Sequence, residues 1–198
     1  MLVSDISEPS LDKSRRLLAG LNLNQRAVFA VADGLKALDR LEQEGAECIF
    51  MLCMGGETLS RILKEGAARL KGATLILGAQ TDLPLLRQSL VQVGYRIRQE
   101  CLTEESGRYY ILIQAAPSRE GEPAYNETEL RMGPVLLKTL PPLWRPVLIR
   151  RARLLSEAIE AMKASGKALH LTQLPDYQKE LYEINAILKR YEKEGEHG

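Results

Sequence analysis

Met54-Gly55-Gly56 joins an apolar run, Glu47-Cys48-Ile49-Phe50-Met51-Leu52, to a helical repeat of Leu59, Ile62, Leu63 and Leu70. Two glycines in a strand-to-helix turn tolerate positive φ and let another molecule approach the backbone. In an open α/β sheet, turns at the carboxyl ends of strands are where ligands sit. Asp5 and Asp33 stand at comparable places, after Leu2-Val3 and after Ala27-Val28-Phe29-Ala30-Val31. Each is either a ligand-binding carboxylate or a cap on the following helix. The chain's two histidines, His170 and His197, lie far from the Gly-Gly turn in the sequence. Cys48, Cys53 and Cys101 lack the paired spacing of a zinc site or a disulfide framework, which predicts a reducing compartment and no metal.

A second kind of chemistry is carried by charge. Lys and Arg number 27 and Asp and Glu 26, so net charge points to no partner and the distribution has to decide. From Leu130 to Ser156 there are six basic residues (Arg131, Lys138, Arg145, Arg150, Arg151 and Arg153) and no acid, with Trp144 among them. A basic stripe with an aromatic is the footprint of nucleic-acid binding; the plainer reading is a solvated helix face.

The elements that must position these residues alternate along the chain. Leu2-Val3 ends a strand, and Glu8-Pro9-Ser10 opens a helix with inner face Leu11, Ser14, Leu17 and Leu18. Pro early in a helix and acid in its first turn fit a helix start. A strand over residues 27–31 is followed by a helix through Leu35, Leu38 and Leu41. The run ending at Leu52 reads as a strand buried on both faces, and its helix ends at Gly72. A strand over residues 73–77 leads to a helix capped by Asp82 and stopped by Gly94. Tyr95–Thr103 and Arg108–Ala115, separated by Glu104-Glu105-Ser106-Gly107, then form an antiparallel hairpin. The fold class is therefore α/β, a mostly parallel Rossmann-like sheet with an antiparallel terminal hairpin. Beyond a polar Pro/Gly segment, Leu148, Ala152, Leu155, Ile159 and Met162 form one narrow seam. Tyr177, Leu181, Ile184, Leu188 and Tyr191 form another. Two such seams predict an antiparallel helical hairpin, with Ser165-Gly166 as a helix stop and Leu174-Pro175-Asp176 as a helix start. The expected domains are 1–116, a linker 117–130, and 131–198. No basic leader precedes an apolar core at the N-terminus, and no run reaches transmembrane length, so a cytoplasmic protein is expected.

The order of elements resembles a class I S-adenosylmethionine-dependent methyltransferase entered at its second strand. Several phrases are similar to the bacterial tRNA (adenine-22-N1)-methyltransferase family: Ser4-Asp5-Ile6, Asp33-Gly34-Leu35, Met54-Gly55-Gly56-Glu57-Thr58-Leu59, Leu75-Ile76-Leu77, Gly94-Tyr95, Tyr109-Tyr110 and Met132-Gly133-Pro134. The resemblance implies methyl transfer from S-adenosylmethionine to N1 of an adenine in tRNA. It places Asp5 at the cofactor ribose, Ile6 beside the adenine, and Ala32, Asp33 and Gly34 at the adenine amino group. Cys53 joins the cofactor site, and Met54, Gly55 and Gly56 border the methionine end and the target base. Arg131, Lys138, Arg145, Arg150, Arg151 and Arg153 would grip tRNA, the last three arginines pointing away from the partner helix. Against that family, the chain is expected to lack the first strand and its Gly-containing acidic loop, as a fragment or shortened gene would. The edges of the strands ending at Asp5 and Leu52 would then be unpaired and the donor weakly held. The alternatives are a non-catalytic RNA-binding remnant and a methyltransferase-like enzyme with another substrate.

Overall fold

The computed structural model describes residues 1–41, 45–165 and 168–195. They form two units, Met1–Gln99 with Leu112–Pro123, and Glu100–Ile111 with Ala124–Gly198. The division thus runs through the hairpin, and part of the expected linker joins each unit.

The first unit opens with β1 (Leu2–Asp5), α1 (Glu8–Gly20) and β2 (Val28–Val31). β1 and β2 pair in parallel, with Asp5 opposite Val31. Leu11 is buried, but Leu17, expected on the inner face of α1, is 65% exposed. Leu11 and Leu18 are seven residues apart and share a face, whereas Leu17 is turned from it by about 100° or more. The helix expected after β2 is instead a 3-10 turn over Gly34–Arg40. The step of three between Leu35, Leu38 and Leu41 is the period of a 3-10 helix.

β3 (Cys48–Met54), α2 (Gly56–Glu65), β4 (Thr74–Ala79) and α3 (Leu83–Gln92) follow. α2 is shorter than expected, because Gly66 ends it and a 3-10 turn over Ala67–Arg69 precedes buried Leu70. The hairpin is β5 (Tyr95–Glu105) and β6 (Arg108–Pro117), turned by Ser106 and Gly107, both at positive φ. That is the two-residue turn whose twist suits paired strands. β3 and β4 run parallel, β6 is antiparallel to β4, and the order is β3-β4-β6-β5.

Two features of β3 depart from a strand buried on both faces. Ile49 and Met51 are buried, but Phe50 is 68% and Leu52 42% exposed. Moreover, β1-β2 and β3-β4-β6-β5 are separate sheets, with no ladder between β1 and β3 among the described residues. These are the two edges expected to lack a neighbour.

The segment after β6 is tied back into the first unit. Arg98 grips Glu122, and its Nη2 donates to Pro117 O at 2.7 Å. The backbone N–H of Arg119 donates to Glu122 Oε2 at 2.8 Å. The Arg98 hydrogen bond, with that of Arg119, holds the Glu122 carboxyl at about 2, below its ordinary 4.5. A depressed carboxyl stabilises the fold above its unfolded value and loses that contribution as pH falls through the folded one. Glu122→Gln should therefore flatten the acid limb of thermal stability between pH 4.5 and about 2. Melts by circular dichroism across that range check this, and an unchanged acid limb refutes it.

The second unit contains α4 (Glu127–Met132), α5 (Leu136–Thr139), α6 (Trp144–Ser165) and α7 (Ala168–Gly195). α4 starts on a capping box, in which Asn126 Oδ1 accepts from Glu129 N and Glu129 Oε2 accepts from Asn126 N, each at 2.8 Å. Buried Glu100 accepts from Val135 N at 2.9 Å and Leu136 N at 3.3 Å, fixing the turn after Met132-Gly133-Pro134. The core gathers Met132, Leu136, Trp144, Leu148, Leu155 and Ile184, and the two seams pack against each other. α7 begins at Ala168, before the expected start, and carries Pro175 inside it. Pro175 is exposed and lies about 200° around the helix from the seam residue Tyr177, so the hydrogen bond it cannot donate is lost away from the seam. Of the expected stop, Gly166 lies outside the described residues.

Candidate functional site

The turns after β3 and β4 are sewn together. Gln80 N donates to Met54 O at 2.9 Å, and Gly56 N donates to Thr81 O at 3.0 Å. A Cβ on Gly56 would lie 2.4 Å from Asp82 O and 2.6 Å from Thr81 O. Gly55 has φ −71°, and neither glycine takes the positive φ expected of the pair. Gly56 is required for close approach. The left-handed residues are Cys53 (φ 63°), at a register shift in β3, and Asp82 (φ 53°). A non-glycine residue held there stores about 1–3 kcal/mol of strain, which clusters at functional sites. The polar triplet Gln80-Thr81-Asp82 belongs to this edge, and sequence reading used only its aspartate, as a cap. Asp82 makes no side-chain cap bond.

At the carboxyl end of the other sheet, Asp5 and Asp33 follow adjacent parallel strands. Asp5 Oδ1 accepts from Ser7 N at 2.7 Å, while Ile6 is exposed. Ala32 N donates to Asp5 O at 3.1 Å, joining the two strand ends. Asp33 holds the position of a cap but makes no side-chain cap bond. Its oxygens face Arg61 Nη2 at 3.6 Å and Lys36 Nζ at 3.9 Å, and such half-exposed pairs contribute little. Gly34 takes φ +55°, and a Cβ there would lie 2.9 Å from Ile62 Cγ2. This close contact seats the turn after β2 on α2. A cleft of ≈ 20 Å³ beside it is lined by Asp33, Gly34, Lys36, Ile62, Glu65 and Arg69. A formed ligand pocket holds roughly 300–1,000 Å³; this cleft is far smaller, and Asp5, Ile6, Cys53 and Met54 do not line it. The described residues include no cluster of metal-ligating side chains and no helix long and apolar enough to cross a membrane.

The basic stripe separates into two groups. Arg131 is tied to Glu127 at 2.8 Å and Glu183 at 3.3 Å. Arg151 forks onto Glu180 of α7 at 2.6 and 2.8 Å. It therefore faces the partner helix, contrary to expectation, because it adjoins the seam residue Ala152 and occupies the rim where paired helices exchange charges. Arg153 is 72% exposed, with Glu157 at 3.7 Å. Lys138, Arg145 and Arg150 are exposed and form no ion pair with a described residue. Trp144, read with the stripe as an RNA-facing aromatic, is 3% exposed and belongs to the core.

Known proteins give the same architecture. A structure of a Listeria monocytogenes protein superposes with TM-score 0.85 at 20% identity, covering 94% of this chain and 81% of that one. The Bacillus subtilis m1A22 tRNA methyltransferase TrmK gives 0.82 at 19% identity, with 94% and 81% covered. Streptococcus pneumoniae Sp1610, solved with S-adenosyl-L-methionine, gives 0.80 at 23% identity, with 94% and 80% covered. Among curated proteins no match is found. The family model for tRNA (adenine(22)-N(1))-methyltransferase matches residues 1–186, nearly the whole chain with its strand-end aspartates, its Gly-Gly turn and its helical pair, and the chain belongs to that family.

Proposed function

We propose that the chain transfers a methyl group from S-adenosylmethionine to N1 of adenine 22 in tRNA. The observation that supports this best is the placement of Asp5 and Asp33 at the carboxyl ends of adjacent parallel strands. Such a pair suits the ribose and the base of one nucleoside. Asp5 Oδ2 has no partner among the described residues and is available to a ribose hydroxyl, with exposed Ile6 flanking the adenine. Asp33, whose cations stand 3.6 and 3.9 Å away, can accept from the adenine amino group, with Ala32 and Gly34 beside it. Cys53 adjoins the cofactor, and Met54, Gly55 and Gly56 border the methionine end and the target base. When bound, the donor supplies an electrophilic methyl on a sulfonium. The task of the chain is then positioning, because N1 of adenine carries its own lone pair. No general base is needed, in keeping with a sequence that has no histidine near the Gly-Gly turn. Lys138, Arg145, Arg150 and Arg153 would meet tRNA phosphates, whereas Arg131 and Arg151 brace the helical unit. We place the reaction in the cytoplasm.

Methyl incorporation into tRNA at high donor concentration, mapped to the modified nucleotide, tests the reading, and no methyl on any adenine refutes it. The unpaired β1 and β3 edges should leave donor affinity weaker than micromolar. Asp33→Ala should weaken it further by about 1.5–3 kcal/mol, as loss of a charged hydrogen bond does. Calorimetry showing micromolar donor binding would contradict the weak site, and an unchanged donor affinity in the variant would contradict the role given to Asp33.

A further inference from the structure

We infer that Gln80 selects adenine as the target base, pairing its side-chain amide with the N6 amino group and N7. The inference rests on the methyl-transfer reading above and adds a residue to it.

The chemistry restricts how the base can be held. In the transfer, the N1 lone pair forms the new N–CH3 bond as the S–CH3 bond breaks. The positive charge of the sulfonium passes to the adenine ring, and no proton moves. N1 must therefore be free of any hydrogen bond. What remains to distinguish adenine is its N6–H donor and N7 acceptor, an edge matched bidentately by a carboxamide.

The two sewn turns carry one carboxamide, at the edge proposed above to border the target base. Gln80 sits at the carboxyl end of β4, with its backbone N–H on Met54 O at 2.9 Å. Its side chain is exposed and has no hydrogen-bond partner among the described residues. Neighbouring groups lack a carboxamide's two separate atoms, one accepting and one donating. Cys53 and Met54 carry no amide, and the Asp82 carboxylate accepts but cannot donate to N7. The Thr81 hydroxyl lies over Gly55, 3.2 Å from where a Cβ would be. Gln80 is thus the side chain at this edge that can both accept from N6–H and donate to N7.

The test compares wild type and Gln80→Ala on tRNA carrying adenine or 7-deazaadenine at the target position. Either change alone should lower kcat/KM by roughly 10- to 100-fold. The two together should cost no more than one, because both remove the same contact, and the donor KM should stay unchanged. Gln80→Glu, which keeps the acceptor and loses the donor, should also become insensitive to 7-deazaadenine. Wild-type rates in Gln80→Ala, or losses that multiply, would overturn the assignment while leaving the methyl-transfer reading intact. A wild-type chain that methylates no tRNA adenine would overturn both.

Discussion

Gly56→Ala should destabilise the α/β unit by about 3 kcal/mol, the upper range for overpacking a filled site, and lower its melting temperature by roughly 10 °C. The added methyl would lie 2.4 Å from Asp82 O, 2.6 Å from Thr81 O and 2.8 Å from Asp82 C. All three are backbone atoms, so no rotamer change relieves the contact. Relief requires the β4–α3 turn to move, which breaks the bond from Gly56 N to Thr81 O and strains the one from Gln80 N to Met54 O. Gly55→Ala is the control, since its methyl meets only Thr81 Oγ1 at 3.2 Å and its φ of −71° suits any residue. That variant should melt within a few degrees of wild type. Methyl transfer should follow stability in Gly56→Ala and fall further, because the turn that moves carries Gln80. A Gly56→Ala protein melting like wild type would mean that the two turns are not locked together.

The same turn illustrates what the sequence could reveal. Two glycines after an apolar run marked the strand end, and strand-helix alternation marked the sheet, because both signals are local. Why Gly56 must be glycine was not local, since the reason lies on Thr81 and Asp82 of the next loop. Positive φ fell on Cys53, where nothing in the residue type announces it. Phe50 and Leu52 read as buried because an apolar run shows that a face is greasy, and not whether anything covers it. The seams of α6 and α7 were largely legible, since heptad-like spacing names both partners at once, but Ile187, beside the seam residue Leu188, is buried in that core and was missed. Trp144 was not, because composition cannot separate an aromatic in a basic stripe from one in the core beneath it. Arg151 needed Glu180, which is distant in the sequence. Asp5 and Asp33 were legible as a pair, and the parallel register of β1 and β2 puts them at one end.

Reversing the exposed cations of the helical unit should have the largest effect on RNA. Arg145, Arg150 and Arg153 lie on the exposed side of α6, and Lys138 is exposed in the last turn of α5. Arg145 and Arg153 are two helical steps of four apart, and Arg150 and Arg153 one step of three, so the three share a stripe. Changing these four residues to Glu should weaken tRNA binding by several orders of magnitude at low salt. Each lost phosphate contact should flatten the slope of log K against log salt by about 0.7–0.9, or about 3 for all four. Stability should change little, because none of the four supports the seam and an acid at Arg145, near the start of α6, suits the helix dipole. Arg151 has to be left out of the set. A glutamate there would face Glu180 and unzip the helices, and lost RNA affinity would then report unfolding. Unchanged affinity and salt slope in the fourfold variant would mean that this face is only solvated, and that tRNA is gripped elsewhere on the chain.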